Sequence, residues 1–154
     1  MAWWDQIGKG IRVERAISPL PQTKTESLFT VSGGKVLLTQ IEGEVTTNIE
    51  AAANATKLLH TPAVGTAIDI CATLDIGTLA FLKGDIMSIT GVFANPMGPA
   101  ASGGAAQGIS NPVVLKAGNL GINCAASKTG NIKWTMHYVP LDDGATVVAA
   151  PAFP

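Results

Sequence analysis

The sequence predicts an all-β protein, an antiparallel β-sandwich of jelly-roll kind with a short N-terminal arm, and three observations point there. About nine or ten short alternating or β-branched runs recur at regular spacing, divided by Gly, Pro, Asn and Asp. No helical periodicity stands out after residue 13. The alternating runs have one dry and one wet side, which suits two packed antiparallel layers and not a parallel sheet buried on both faces. At 154 residues, one domain is expected, burying roughly 70% of its unfolded surface.

Taken in order, residues 1–24 are predicted to be an arm and linker, 25–150 the sandwich, and 151–154 an exposed or partner-contacting tail. Trp3, Trp4, Ile7 and Ile11 recur at helical spacing and predict a short helix over residues 2–13. Gly8 and Gly10 weaken it, each by about 1 kcal/mol relative to alanine. This segment either folds back over one end of its own sandwich or docks on another subunit, where tryptophan is a favoured anchor. Pro19 and Pro21 keep the following stretch extended. Removal of residues 1–16 is expected to leave the sandwich folded.

Residues 25–47, TESLFTVSGGKVLLTQIEGEVTT, are predicted to be two strands folded as a hairpin on Ser32-Gly33-Gly34. In the second strand Leu37, Thr39, Ile41, Gly43, Val45 and Thr47 fall on a dry face. Gln40, Glu42, Glu44 and Thr46 fall on a wet one. Residues 48–54 are read as one helical turn or the polar end of a strand. Further strands are expected at 55–60, 66–72, 79–82 and 86–93, the last with Met87, Ile89 and Phe93 on one face. Residues 95–108, NPMGPAASGGAAQG, form a long loop, either a disordered surface loop or one ordered only against a neighbouring chain. Met97 and Ser102 are its candidate contact residues. Strands resume at 112–116, 120–126, 131–139 and 145–149. In 131–139, Ile132, Trp134, Met136 and Tyr138 oppose Lys133, Thr135 and His137.

Composition excludes several functions. Charged residues make up 14% and the net charge is -1, too little basic character to follow a phosphate backbone, so no nucleic-acid partner is expected. No apolar run reaches the roughly 18 residues of a membrane-spanning helix, and the N-terminus lacks a signal-peptide core. Few charges and many small residues suit a surface partly covered by other subunits. Cys71 and Cys124 match no metal or redox spacing and are expected to be buried free thiols.

No catalytic constellation is visible. His60 and His137 are the two histidines, and no HxH, HExxH or Cys/His cluster is present. Ser32-Gly33-Gly34-Lys35 lacks phosphate-loop spacing. Glu42 and Glu44 are read as aids to solubility or against wrong edge pairing, and Asp142-Asp143-Gly144 as a turn rather than a calcium loop. No enzyme, cofactor or metal is expected.

Three stretches carry a resemblance: LPQTKTESLFTVSGGKVLLTQIEGEVTT, VGTAIDICATLDI and TGNIKWTMHYVPLDDGATVVAA. Together they are similar to a family of small virion structural proteins of tailed bacteriophages. The likeness covers roughly residues 20–150; it is best at 28–47 and 130–147, loose through the Gly/Ala loop, and absent before Ile17. The resemblance implies a non-enzymatic β-sandwich assembled in a bacterial cytoplasm into a virion. Its first implied role is a capsid decoration or cement protein, often trimeric, bound to the major capsid lattice. A head fibre or tail-associated subunit is the second. Outside that class, a lectin-like carbohydrate-binding sandwich would need an exposed aromatic ring, and alternation predicts that Trp134 is buried. Contact with the virion partner is expected through Trp3, Trp4, Ile7 and Ile11 of the arm and Met97 and Ser102 of the loop.

Overall fold

The computed structural model describes residues 9–99 and 103–154. In chain order the strands are β1 (Ile11–Glu14), β2 (Ser18–Pro19), β3 (Thr25–Ser32), β4 (Val36–Thr47), β5 (Ala55–Pro62), β6 (Ile68–Asp69), β7 (Leu74–Asp75), β8 (Ile86–Ser88), β9 (Val113–Leu115), β10 (Gly118–Cys124), β11 (Asn131–Pro140) and β12 (Thr146–Ala149). They make two antiparallel sheets packed face to face, as an all-β sandwich requires. One runs β1-β11-β4-β8, with β2 beside β11 and β9 beside β4; the other runs β12-β3-β10-β5-β6, with β7 beside β5. Among the described residues there is no helix.

The pairings nest. β3 pairs with β12, β4 with β11 and β5 with β10, so a doubled ribbon passes from the second sheet to the first and back. The register between β4 and β11 spans both strands, Asn131 opposite Thr47 at one end and Pro140 opposite Val36 at the other. That is the longest pairing in the fold.

Four expectations need correcting. The segment around Ile11 is an edge strand, not a helix: Ile11 lies opposite Tyr138 and Glu14 opposite Thr135. Free backbone groups on β11 offered a better partner than a helix interrupted by Gly10. The two strands over 25–47 are not a hairpin, because β3 and β4 belong to different sheets. Gly33 and Gly34 do take positive φ, 78° and 146°, but they arch the chain across the sandwich. A Cβ on Gly33 would lie 2.4 Å from the Gly144 carbonyl oxygen, and Lys35 N donates to Asp142 Oδ2 at 2.7 Å. The arch is thus clamped against the 142–144 turn.

The segment at 79–82 is a turn, not a strand. Asp75 builds it: Oδ1 accepts from the Asn54 and Thr78 amides, and Oδ2 from the Thr78 hydroxyl at 2.7 Å. These bonds hold its carboxyl down at about 2. Finally, two expected strands are shorter than their patterns. The strand within 66–72 ends at Asp69 and the one within 86–93 at Ser88. Phe93, expected on the same face as Met87 and Ile89, is exposed while those two are buried.

The core lies between the sheets, with Phe29, Leu38, Ile41, Leu58, Leu120 and Trp134 among its fully buried side chains. The inward set on β11 is the expected one, Ile132, Trp134, Met136 and Tyr138. On β4 the alternation changes phase. Leu38 faces Tyr138 and Gln40 faces His137, leaving Thr39 as an extra residue in a bulge. Val36 and Leu38 are therefore buried ahead of it, and Ile41, Gly43 and Val45 behind it, while Leu37 turns outward.

Candidate functional site

The functional residues expected from the sequence do not gather in one place. Trp3, Trp4, Ile7 and Ser102 lie outside the described residues. Ile11 is 42% exposed on the β1 edge, and Met97 is 1% exposed within the core. Met97 is thus not available to a partner. Its burial shows that the long loop, far from waiting on a neighbouring chain throughout, is rooted in its own sandwich.

The described parts of that loop are fastened to the first sheet. Ser88 and Gly98 exchange backbone hydrogen bonds, both at 2.9 Å, so the loop extends the sheet beyond β8. The described part after it lies over the outer face, where the Ser88 hydroxyl donates to the Gln107 carbonyl and Ile109 N donates to Gln40 Oε1 at 3.0 Å. The Asp85 carboxylate accepts from Gly103 N at 3.2 Å. Between the two limbs is a cavity of about 440 Å³ lined by Ser88, Ile89, Thr90, Gly98, Pro99, Ala105, Ala106 and Gln107. It presents small apolar groups and two hydroxyls, with no ionisable side chain.

A second segment crosses the same face. The Thr39 hydroxyl donates to the Lys9 carbonyl, and Lys9 Nζ donates to Gln40 Oε1 at 3.5 Å. Gln40, expected in water, is therefore buried. Glu42 is half-buried and Glu44 exposed, as on a wet face. Both sit on an interior strand, so protection of a free sheet edge is not their role. Glu14 takes ion pairs from Arg12 and from Lys133, the latter at 3.3 Å. All three side chains are well exposed, so the cluster adds little stability.

Both thiols are free and buried. Cys71 Sγ accepts from Leu58 N at 3.2 Å, and Cys124 Sγ lies 3.6 Å from Thr56 Oγ1. Burial pushes both thiols up, which keeps them protonated and unreactive. Among the described residues no group of His, Cys, Asp and Glu side chains is placed to hold a metal ion. No helix among them is long and apolar enough to cross a membrane.

His60 is an interior residue. β5 runs past the turn signal of Thr61-Pro62 as far as Pro62, and its inward set is Thr56, Leu58 and His60. His60 is 5% exposed, with no partner for either ring nitrogen within hydrogen-bond distance. Burial lowers its pKa, with the nearby main chain at Asn119 and Lys116 partly opposing. The folded state therefore binds the proton less readily than the unfolded chain. Stability is full above the unfolded value of about 6.5 and falls as pH drops below it towards the folded value. Urea midpoints measured from pH 7.5 downwards are expected to show that decline, and His60→Leu is expected to flatten it. Equal slopes in both proteins would remove His60 as the cause.

No protein-family model, curated protein or solved structure matches the chain.

Proposed function

We propose that this protein is a non-enzymatic structural subunit of a phage virion, a decoration or cement protein seated on the major capsid lattice as a homotrimer. The observation that carries the reading is the pairing of β4 with β11. The two stretches of strongest resemblance, 28–47 and 130–147, lie far apart in the chain and form one structural unit. A shared pattern with that outcome follows from the needs of a fold, since each strand's inward residues must match the other's. The nested pairings β3/β12, β4/β11 and β5/β10 favour a jelly-roll winding for it.

The polar side chains support a scaffold in the same way. Asp75, Asp85, Asp142 and Glu50 spend their carboxylates on backbone amides of turns. A lectin-like site has less support: Trp134, Tyr138, Phe29 and Phe81 are buried, while Phe93 stands exposed on a turn. A lattice-bound protein gains its affinity from many identical weak contacts, for which exposed apolar residues such as Val114, Val139 and Leu141 are suited.

Antibody raised against the purified chain is expected to label the heads of intact phage particles in electron micrographs. Label confined to the tail would move the protein to the tail-associated reading. Unlabelled particles, with the chain found only in the soluble fraction, would refute a virion role. Light scattering at micromolar concentration is expected to give the mass of a trimer.

A further inference from the structure

We propose that the free edge of β1 is a contact surface for a second copy of this chain, the two β1 strands pairing antiparallel with Val13 opposite its own counterpart. This goes beyond the virion reading and rests on none of it. In a particle, a two-fold contact of this kind joins one oligomer to the next.

β1 ends the first sheet, and its ladder fixes which of its backbone groups are spare. Arg15 N donates to the Trp134 carbonyl at 2.9 Å. From there the register runs Glu14 opposite Thr135, Val13 opposite Met136, Arg12 opposite His137 and Ile11 opposite Tyr138. In an antiparallel ladder, pairs that exchange hydrogen bonds alternate with pairs that do not. Val13 and Ile11 therefore bond β11, while the N–H and C=O of Arg12 and Glu14 face away from it. Among the described residues no hydrogen bond takes these groups up. Residues 9 and 10 leave them uncovered. Gly10 lies against β11, where an added Cβ would meet the Tyr138 carbonyl oxygen at 2.2 Å, and Lys9 is held by Thr39 on β4.

Charge says which occupant fits. Arg12 and Glu14 share the outer face of the sheet and are ion-paired to each other, with side chains 46% and 40% exposed. Antiparallel self-pairings that set spare groups opposite spare groups differ only in their centre. Centring on Arg12 puts two arginines face to face, and centring on Glu14 puts two glutamates face to face. Centring on Val13 puts Arg12 opposite Glu14 of the second copy and Glu14 opposite its Arg12, and both pairs exchange backbone hydrogen bonds. On the inner side Val13, packed against the core, meets its counterpart. Lys133 Nζ, 3.3 Å from Glu14, remains beside that carboxylate, so each glutamate lies between two cations. Charge on an edge strand usually guards it against pairing. Here a foreign edge of either sign is opposed by one of the two residues, whereas a second copy satisfies both.

So small a contact is expected to be open at micromolar concentration and to close towards millimolar. Over that range, sedimentation of the full chain should show a rising mean mass. Amide exchange at Arg12 and Glu14 should slow about tenfold, while Val13, bonded to β11 throughout, keeps its rate. Arg12→Glu and Glu14→Arg, each studied alone, should abolish the slowing. Mixing the two variants should bring it back, and so should R12E/E14R, because each restores opposite charges across the pair. These side chains are exposed, so the fold tolerates the exchanges. Exchange at Arg12 and Glu14 that ignores concentration would overturn the proposal. So would association that R12E leaves intact, which assigns it to another surface. A mixture or a double variant that fails to associate would equally reject it.

Discussion

Replacing Gly43 by alanine is expected to destabilise the sandwich by about 1–3 kcal/mol, and replacing Trp134 by alanine by about 3–5 kcal/mol. The double variant should be less damaged than the sum of the two. Gly43 and Trp134 are direct cross-strand partners on β4 and β11, and both are buried. A Cβ on Gly43 would lie 2.9 Å from Trp134 Cη2 and Cζ3 and 3.0 Å from Ile132 Cγ2. The indole thus lies across the space an ordinary side chain would fill. The glycine takes no left-handed conformation here, so the penalty of alanine is steric. Truncating Trp134 removes the obstacle and leaves a cavity that the new methyl partly fills. Urea denaturation of the four proteins gives the coupling directly. Additivity within about 0.5 kcal/mol would show that the two do not oppose each other.

That pair also shows what the sequence made legible. The alternation on β11 named the inward set correctly, Trp134 included, because β11 pairs along its inward run without a bulge from Ile132 to His137. On β4 the same rule placed Ile41, Gly43 and Val45 correctly and misplaced Leu37. A bulge adds one residue and reverses every face beyond it, and Thr39 carries no residue-type signal for that role. The arch at Gly33-Gly34 was read as a hairpin for a related reason. Two positive-φ glycines turn the chain equally well within a sheet or between sheets. What decides is the partner, and β3 finds β10 and β12 instead of β4. The outer face was the least legible. Its polarity was read from β4 alone, yet Gln40 is buried by Lys9 and Ile109, which come from opposite sides of the sequence. No local pattern reports a crossing of that kind.

Arginine 15 is expected to be the second residue whose loss is felt throughout the fold, at about 2–4 kcal/mol for Arg15→Ala. It lies one residue beyond β1 and is 1% exposed, with its amide bonded to the Trp134 carbonyl at 2.9 Å. Its guanidinium donates to Ser18 Oγ and to the Pro151 carbonyl, and it stacks on Phe153, 4.1 Å from the ring centroid. Burial lowers its pKa and Glu26 partly restores it. An arginine so far from neutrality keeps its charge. The tail, expected to be exposed or to contact a partner, is exposed at Pro151, Ala152 and Pro154, and this side chain fastens it to the linker. Alanine would strand the Ser18 hydroxyl and the Pro151 carbonyl and release the ring. Arg15→Lys keeps the charge without the planar fork and should recover only part of the loss. Arg15→Ala should also raise amide exchange at Ala150, whose N–H bonds Leu28 O at 2.9 Å. Unchanged exchange there would mean that the tail is held by something else. The same geometry forbids the truncation that the sequence invited. Cutting after residue 16 would remove β1 and Arg15 together and expose the β11 edge, whereas cutting after residue 8 leaves both in place. Loss of particle binding is therefore interpretable as loss of the arm only for the shorter cut.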